Sequence, residues 1–211
     1  MEYANKSHNM LKRNLNINFD SYCITEKPEE LSKEIEPIKP LLDDVKGWWN
    51  KLFLFSNTMP DGYILFLDVD TVIINDLTEV VEFGLNNLEE IACYSDAIEW
   101  EGSKFSSSMM IFRSGTLNHI YQNFVESYPK ILNFRGGDQV WTFPQLNDIL
   151  YLDEKFPKFK MSLKFQLATR KDKGLIIPSN LPNELKLIDF HGRPKPHEVI
   201  DKWPLIKKHW R

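Results

Sequence analysis

Two aspartates one residue apart, Asp68 and Asp70, stand in "YILFLDVDTVIINDL", the stretch from Tyr63 to Leu77. An apolar run delivers both carboxylates and then resumes. Burying a lone carboxylate is costly unless it is paired or bound to a metal, so something positive must meet these two. On an extended strand, side chains alternate with period two, which turns both carboxylates the same way around a buried Val69. Their oxygens suit a hard divalent cation, Mn²⁺ or Mg²⁺. Two chemistries open on such a site. In one, the cation neutralises a diphosphate leaving a sugar. In the other, the first aspartate of a D-x-D-x-T/V motif takes part in phosphoryl transfer, and "LFLDVDTVI" satisfies that pattern too.

The surrounding elements must hold these carboxylates in place. "NKSHNMLKRNL" sets His8, Leu11 and Leu15 at helical spacing, and "FDSYCIT" (Phe19 to Thr25) alternates as a short strand. "EKPEELSKEIEPIKP" is charged, carries prolines and reads as a loop. "GWWNKLFLFSNTM" suits a helix that turns Trp48, Leu52 and Phe55 inward, and "DGYILFLDVD" a turn followed by a buried strand. Next come a short helix "LTEVVEFGL", strands "IACYSD" and "SSMMIFRSG", and a helix "GTLNHIYQNFVESY" with Ile120 and Phe124 inward. "GGDQVWTFPQLND" starts as a flexible turn and continues as a helix broken at Pro144. The basic run Lys155 to Lys173 is expected to be a solvated loop. It is followed by a strand "ELKLIDF", a loop "HGRPKPHEV" and the terminal "DKWPLIKKHWR". Strands alternating with helices predict an α/β domain with a mainly parallel sheet, whose ligands gather at strand carboxyl ends.

The chain has 211 residues, 42% of them hydrophobic and 27% charged, which sets the expectation of one domain over 1–211. A net charge of −4 gives no electrostatic reason to expect a nucleic-acid partner. Cys23 and Cys93 are far apart without metal-ligand spacing and fit a reducing, cytoplasmic setting. No apolar run reaches bilayer length, and the polar N-terminus lacks the apolar segment of a signal peptide. "KKHWR" at the C-terminus could make peripheral contact with anionic lipid, a frayed tail being the simpler expectation.

Three stretches, in order along residues 47 to 200, carry a resemblance. "GWWNKLFLFSNTMPDGYILFLDVDTVIINDLTEV" resembles the segment around the D-x-D of glycogenin-like (family 8-like) glycosyltransferases of the GT-A fold. "RGGDQVW" resembles their Gly-Gly-Asp-Gln turn, and "DFHGRPKPHEV" their late His-x-x-Gly-x-x-Lys-Pro-Trp motif. The whole pattern is also similar to bacterial and phage glycosyltransferases. The resemblance implies a metal-dependent transfer of sugar from a nucleotide-diphosphate donor, a UDP-sugar above all, to a glycan or glycolipid acceptor. It implies Lys51 and Ser107 on the donor, Asp138 and Gln139 beside the sugar as the catalytic pair, and Gly192 and Lys195 on the diphosphate. Asp70 would bind the metal directly, and Asp68 would reach the ribose or share the cation. Asp189 occupies the family's metal-histidine position, with His191 just before the glycine. Either could complete the metal set, since carboxylate and imidazole both serve. The family's tryptophan after Lys-Pro is His197 here, and the strand that usually opens a GT-A domain is not seen, so the domain reads as N-terminally shortened.

Two other functions stay open on the sequence. One is a non-catalytic GT-A-like binding module. The other is a phosphatase of the haloacid-dehalogenase type, for which "QVWTF" after Asp138 lacks the second acidic residue of the late motif. Trp48 and Trp49 are expected to pack a helix on the sheet, Gly136 and Gly137 to make a turn, and Arg193 to assist Lys195 with phosphate.

Overall fold

The computed structural model describes residues 2–40, 42, 45, 47–171 and 174–211. In chain order the helices and strands are α1 (Glu2–Asn14), β1 (Ser21–Ile24), β2 (Ile35–Ile38), β3 (Tyr63–Leu67), β4 (Val72–Ile73), α2 (Thr78–Asn87), β5 (Ile91–Ser95), β6 (Phe105–Arg113), α3 (Asn118–Ser127) and α4 (Gly137–Thr142). They continue with β7 (Ile149–Tyr151), β8 (Lys160–Ser162), β9 (Thr169–Lys171), β10 (Gly174–Ile176), β11 (Leu187–Asp189), α5 (Pro196–Val199) and α6 (Pro204–His209). The class is α/β, as expected. The sheets are mixed: β5 runs antiparallel to β6 and parallel to β7, and β11 antiparallel to β4 and parallel to β8. The chain falls into two compact units, one of residues 1–38, 67–80 and 153–211, the other of residues 39–66 and 81–152.

The second unit is built on a four-stranded sheet in the order β3-β6-β5-β7. β6 is its spine, buried from Phe105 to Phe112. Helix α2 lies so close to it that a side chain added at Gly84 would meet Ile111 Cδ1 at 2.6 Å, which is why a helix interior tolerates glycine there. Ile120 and Phe124 of α3 are buried as expected. The segment Gly47–Phe55 winds as a 3₁₀ helix, with three residues per turn. That period buries Trp49 in a stack on Phe124, ring centres 6.0 Å apart, and leaves Trp48 61% exposed. The inward Trp48 read from the sequence is therefore corrected to Trp49. β3 is corrected as well: it is an edge strand with only Leu67 buried, not a buried central one. Apolar runs on edges and in cores look alike in sequence.

The first unit holds the three-stranded sheet β4-β11-β8, the parallel pair β1–β2 and the antiparallel pair β9–β10. β2 lies in the stretch read as a loop, its proline and charges masking a parallel partner for β1. The basic run is likewise structured, with β8, one π-helical turn over Leu163–Leu167 and β9; its last residue, Lys173, lies outside the described residues. Met10 of α1 is fully buried, with the Ile73 N–H 3.4 Å from its sulfur. The C-terminus is no frayed tail. Trp210 is buried edge-on to Tyr3 at 4.9 Å, with the Lys6 ammonium 3.8 Å over its ring. No helix among the described residues is long and apolar enough to cross a membrane.

Candidate active site

In the first unit the D-x-D residues stand just beyond β3, in a turn closed by the Thr71 N–H on the Asp68 carbonyl at 3.0 Å. A turn does not keep period two, and Val69 is 47% exposed, which corrects the buried Val69 of the strand reading. The turn leads into β4, which pairs with β11 through Val72↔Ile188 and Ile73↔Leu187. That pairing brings the late motif to the early one. Lys195, 125 residues downstream, places its ammonium directly on the Asp70 carboxylate, with the Phe190 carbonyl as a second acceptor at 3.3 Å. The pair is partly open to solvent, with side-chain exposures of 34% for Lys195 and 23% for Asp70. Gly192 takes φ +64°, a left-handed turn that favours glycine.

The two candidates for the remaining metal ligand differ sharply. Asp189 is at the end of β11, with one oxygen on the Lys160 ammonium at 2.6 Å and the other accepting from Thr71 Oγ1 at 2.9 Å. Both side chains of that ion pair are sealed, at 6% and 2% exposure. His191 stands differently: its Nδ1 is 2.9 Å from Ser162 Oγ. With the proton on Nδ1, the ring donates to Ser162 and Nε2 keeps its lone pair, the orientation second-shell partners give to a metal-binding histidine. The oxygens of Asp68 and Asp70 and this imidazole fit Mn²⁺ or Mg²⁺ in kind. Among the described residues no three His, Cys, Asp or Glu side chains are gathered as a ready-made cage. Arg193 turns to Glu198 at 2.5 Å.

In the second unit, the Gly-Gly turn takes φ +98° and +70° and opens α4, so that Asp138 and Gln139 enter on its first turn. The Asp138 carboxylate makes no helix cap; it faces side chains. Ser107 Oγ donates to Asp138 Oδ2 at 2.7 Å, and Lys51 Nζ lies 2.9 Å from Ser107 Oγ and 3.5 Å from Asp138 Oδ2. Ser107 reaches them because β6 bulges: its register on β5 jumps from Met110↔Cys93 to Ser106↔Tyr94. Ser107 is thereby unpaired with β5, and its N–H donates to Gln139 Oε1 at 3.2 Å. Gln139 Nε2 in turn donates to Asp96 Oδ2 at 3.3 Å. Asp96 was missed by the sequence reading. Its signal was there in "IACYSD", a carboxylate just past an apolar strand, as at Asp68. Trp48 stands over the turn, its Nε1 3.0 Å from where a Gly137 side chain would begin.

The units thus gather the expected residues into two sets. Asp68, Asp70, Asp189, His191, Gly192 and Lys195 belong to the first unit, and Lys51, Ser107, Asp138 and Gln139 to the second.

No protein-family profile matches the chain, and no curated protein matches it by sequence. Three solved glycosyltransferases share its fold. The glycosyltransferase GlyE of Streptococcus pneumoniae TIGR4 aligns at a TM-score of 0.60 and 15% identity, over 92% of this chain and 53% of that one. The galactosyltransferase LgtC, solved with donor and acceptor sugar analogues, aligns at 0.64 and 13%, over 100% and 92%. The bifunctional glycosyltransferase WbbM aligns at 0.55 and 13%, over 99% and 48%. The chain spans about half of the GlyE and WbbM chains and most of that of LgtC. At these identities the likeness is one of fold, and the fold is of the GT-A type.

Proposed function

We propose that the chain transfers a sugar from a nucleotide-diphosphate donor, a UDP-sugar first, to a glycan or glycolipid acceptor, with Mn²⁺ or Mg²⁺. The observation that carries the reading is the meeting of Asp70 with Lys195 across 125 residues. Two motifs singled out for a diphosphate site converge, and a cation already sits on the carboxylate that would hold one. The LgtC structure, with its donor and acceptor sugar analogues, supports the substrate class, and the fold likeness favours transfer over the phosphatase alternative.

Asp68, Asp70 and His191 would hold the cation, which when bound supplies positive charge to a departing diphosphate. Lys195 exchanges Asp70 for the diphosphate, and the Gly192 turn admits the phosphate close to the backbone. Asp189 stays with Lys160 and fixes Thr71, hence the D-x-D turn. Asp138, held by Ser107 and Lys51, orients the sugar or the acceptor hydroxyl, and Gln139 is held beside it by Asp96 and Ser107.

Calorimetric titration with UDP and GDP, with and without Mn²⁺, tests the donor site on the wild type and Asp70→Ala. Metal-dependent binding of one nucleotide, lost in the variant, is expected, followed by nucleotide release from the matching sugar donor. A well-folded wild type that binds neither nucleotide sinks the proposal.

A further inference from the structure

The stretch read from sequence as a solvated basic loop carries a cation that the transferase reading leaves without a task. Lys164 lies on the π-helical turn Leu163–Leu167, closed by the Ala168 N–H on the Leu163 carbonyl at 2.8 Å and braced by the Ser162 N–H on Gln166 Oε1 at 2.7 Å. The π-helix is rare, and its single turns inside α-helices are frequent at functional sites. Here the turn directs Lys164 to the late motif: a side chain grown from Gly192 would begin 3.7 Å from the Lys164 ammonium. The Phe165 ring neighbours both, with Lys164 Nζ 5.2 Å and the His191 ring centre 5.9 Å from its centre. Phe165 is itself 40% exposed, an uncovered aromatic beside a positive charge.

The state of the neighbouring cations distinguishes Lys164. Lys195 sits on Asp70, Arg193 on Glu198 and Lys160 on Asp189. Among the described residues Lys164 has no carboxylate at ion-pair distance and no hydrogen bond; its one contact of charge is with the Phe165 ring. An anion entering the Gly192 turn therefore meets Lys164 without breaking an existing pair, whereas Lys195 must first let go of Asp70. Successive backbone N–H groups in a turn with left-handed residues form anion concavities, and an ammonium beside such a turn adds charge to it.

We infer that Lys164 is a diphosphate-binding residue, the second cation of an anion cradle formed with the Gly192 turn and Lys195, and that it takes the phosphate before Lys195 exchanges partners. The inference rests on the transferase reading only for the anion's identity. The glycine explains itself in the same terms: any side chain at 192 would occupy the space between the backbone and the ammonium.

The test titrates inorganic pyrophosphate and UDP, with uridine as the control lacking phosphate, into wild type, Lys164→Gln and Lys164→Arg in the presence of Mg²⁺. A hydrogen bond to a charged group corresponds to roughly ten-fold or more in affinity. Lys164→Gln is expected to weaken pyrophosphate and UDP about ten-fold, with uridine binding and melting temperature unchanged and Lys164→Arg restoring most of the loss. Equal pyrophosphate affinity in wild type and Lys164→Gln overturns the inference, as does a wild type that binds no pyrophosphate. Pyrophosphate binding that depends on Lys164, in a protein that turns over no nucleotide sugar, would keep the cradle and refute the transferase.

Discussion

Lys51 and Lys195 each present an ammonium to an aspartate, yet they do so in opposite ways. Lys51 reaches Asp138 within a closed set: Ser107 touches both of them and Gln139, and Gln139 touches Asp96. Asp138 and Lys51 are largely buried, held by the bulged spine of a sheet and the first turn of a helix. Lys195 and Asp70 meet from a loop and a turn, partly in water, and among the described residues no side chain bridges them. The difference is one of exchangeability. A half-exposed pair in high dielectric is a weak hold and can trade its cation for a metal or its carboxylate for a phosphate. A network in low dielectric keeps its geometry, which suits orienting a reacting group. The first unit also contains its own counterexample, the sealed Asp189–Lys160 pair one strand from the open one.

The largest expected effect breaks that counterexample. Removing one partner of a buried ion pair leaves an uncompensated charge and costs about 3–5 kcal/mol. Lys160→Met is expected to lower unfolding free energy by that order in urea titrations and to weaken divalent-cation binding, because Asp189, which accepts from Thr71 Oγ1, loses the cation that fixes it. Lys160→Met with Asp189→Leu should recover most of the stability, since apolar groups of similar volume replace such pairs at little net cost. If Asp189 were instead a working ligand, the double variant would lose cation binding altogether while remaining folded.

The second prediction probes the closed set. A positioned acid–base or orienting group contributes about 10²- to 10⁴-fold. Asp138→Asn keeps an acceptor for Ser107 but removes the charge, and should lower kcat about 10²- to 10³-fold with donor KM little changed. A loss confined to KM would make the set a mere binding patch and erase the contrast with the open pair.

How much of this was readable from the chain alone follows from the same contrast. Asp68 and Asp70 announce themselves because both are in one short stretch, and their motif resemblance led to Gly192 and Lys195. What the turn does to them was not legible: an apolar run predicts an inward strand, and the turn closed by Thr71 on Asp68, beyond the edge strand β3, is what lets Val69 face water. Asp96 and Ser107 owe their placement to a register shift between β5 and β6, a property of two strands together that neither sequence displays. Lys160 and Lys164 sit in one basic run and have opposite fates, one sealed against Asp189 and one beside Gly192. Composition gave both the same reading, because charge says nothing of which residue a strand or a π turn will carry inward.

The tryptophan pair offers a smaller test. Trp48 is exposed and stands against Gly137, so its removal leaves no cavity. Trp48→Ala should change stability by less than about 0.5 kcal/mol, as surface substitutions do. A stacking platform is nonetheless lost beside Asp138, and a several-fold weaker acceptor or sugar interaction is expected, read as a raised KM. An unchanged KM would assign Trp48 no part in the closed set.

The smallest effect concerns how the first unit is tied at its ends and depends on pH. His209, on the last turn of α6, has its pKa lowered by burial first, and then by the nearby charges of Lys208, Arg13 and Arg211. Arg13 also donates to the His209 carbonyl at 2.8 Å and the Arg211 carbonyl at 2.9 Å, so charging the ring adds a fourth cation to Lys208, Arg13 and Arg211. The folded pKa is below the unfolded one, so the unfolded chain binds the proton more readily. The neutral ring's contribution is complete above about pH 6.5, the unfolded value, and is lost as pH falls from there through the folded pKa. The melting temperature should therefore decline across that interval, and His209→Gln should flatten the decline by removing the titrating ring. A decline of the same slope in His209→Gln would move the pH sensitivity away from the chain ends and back toward the site.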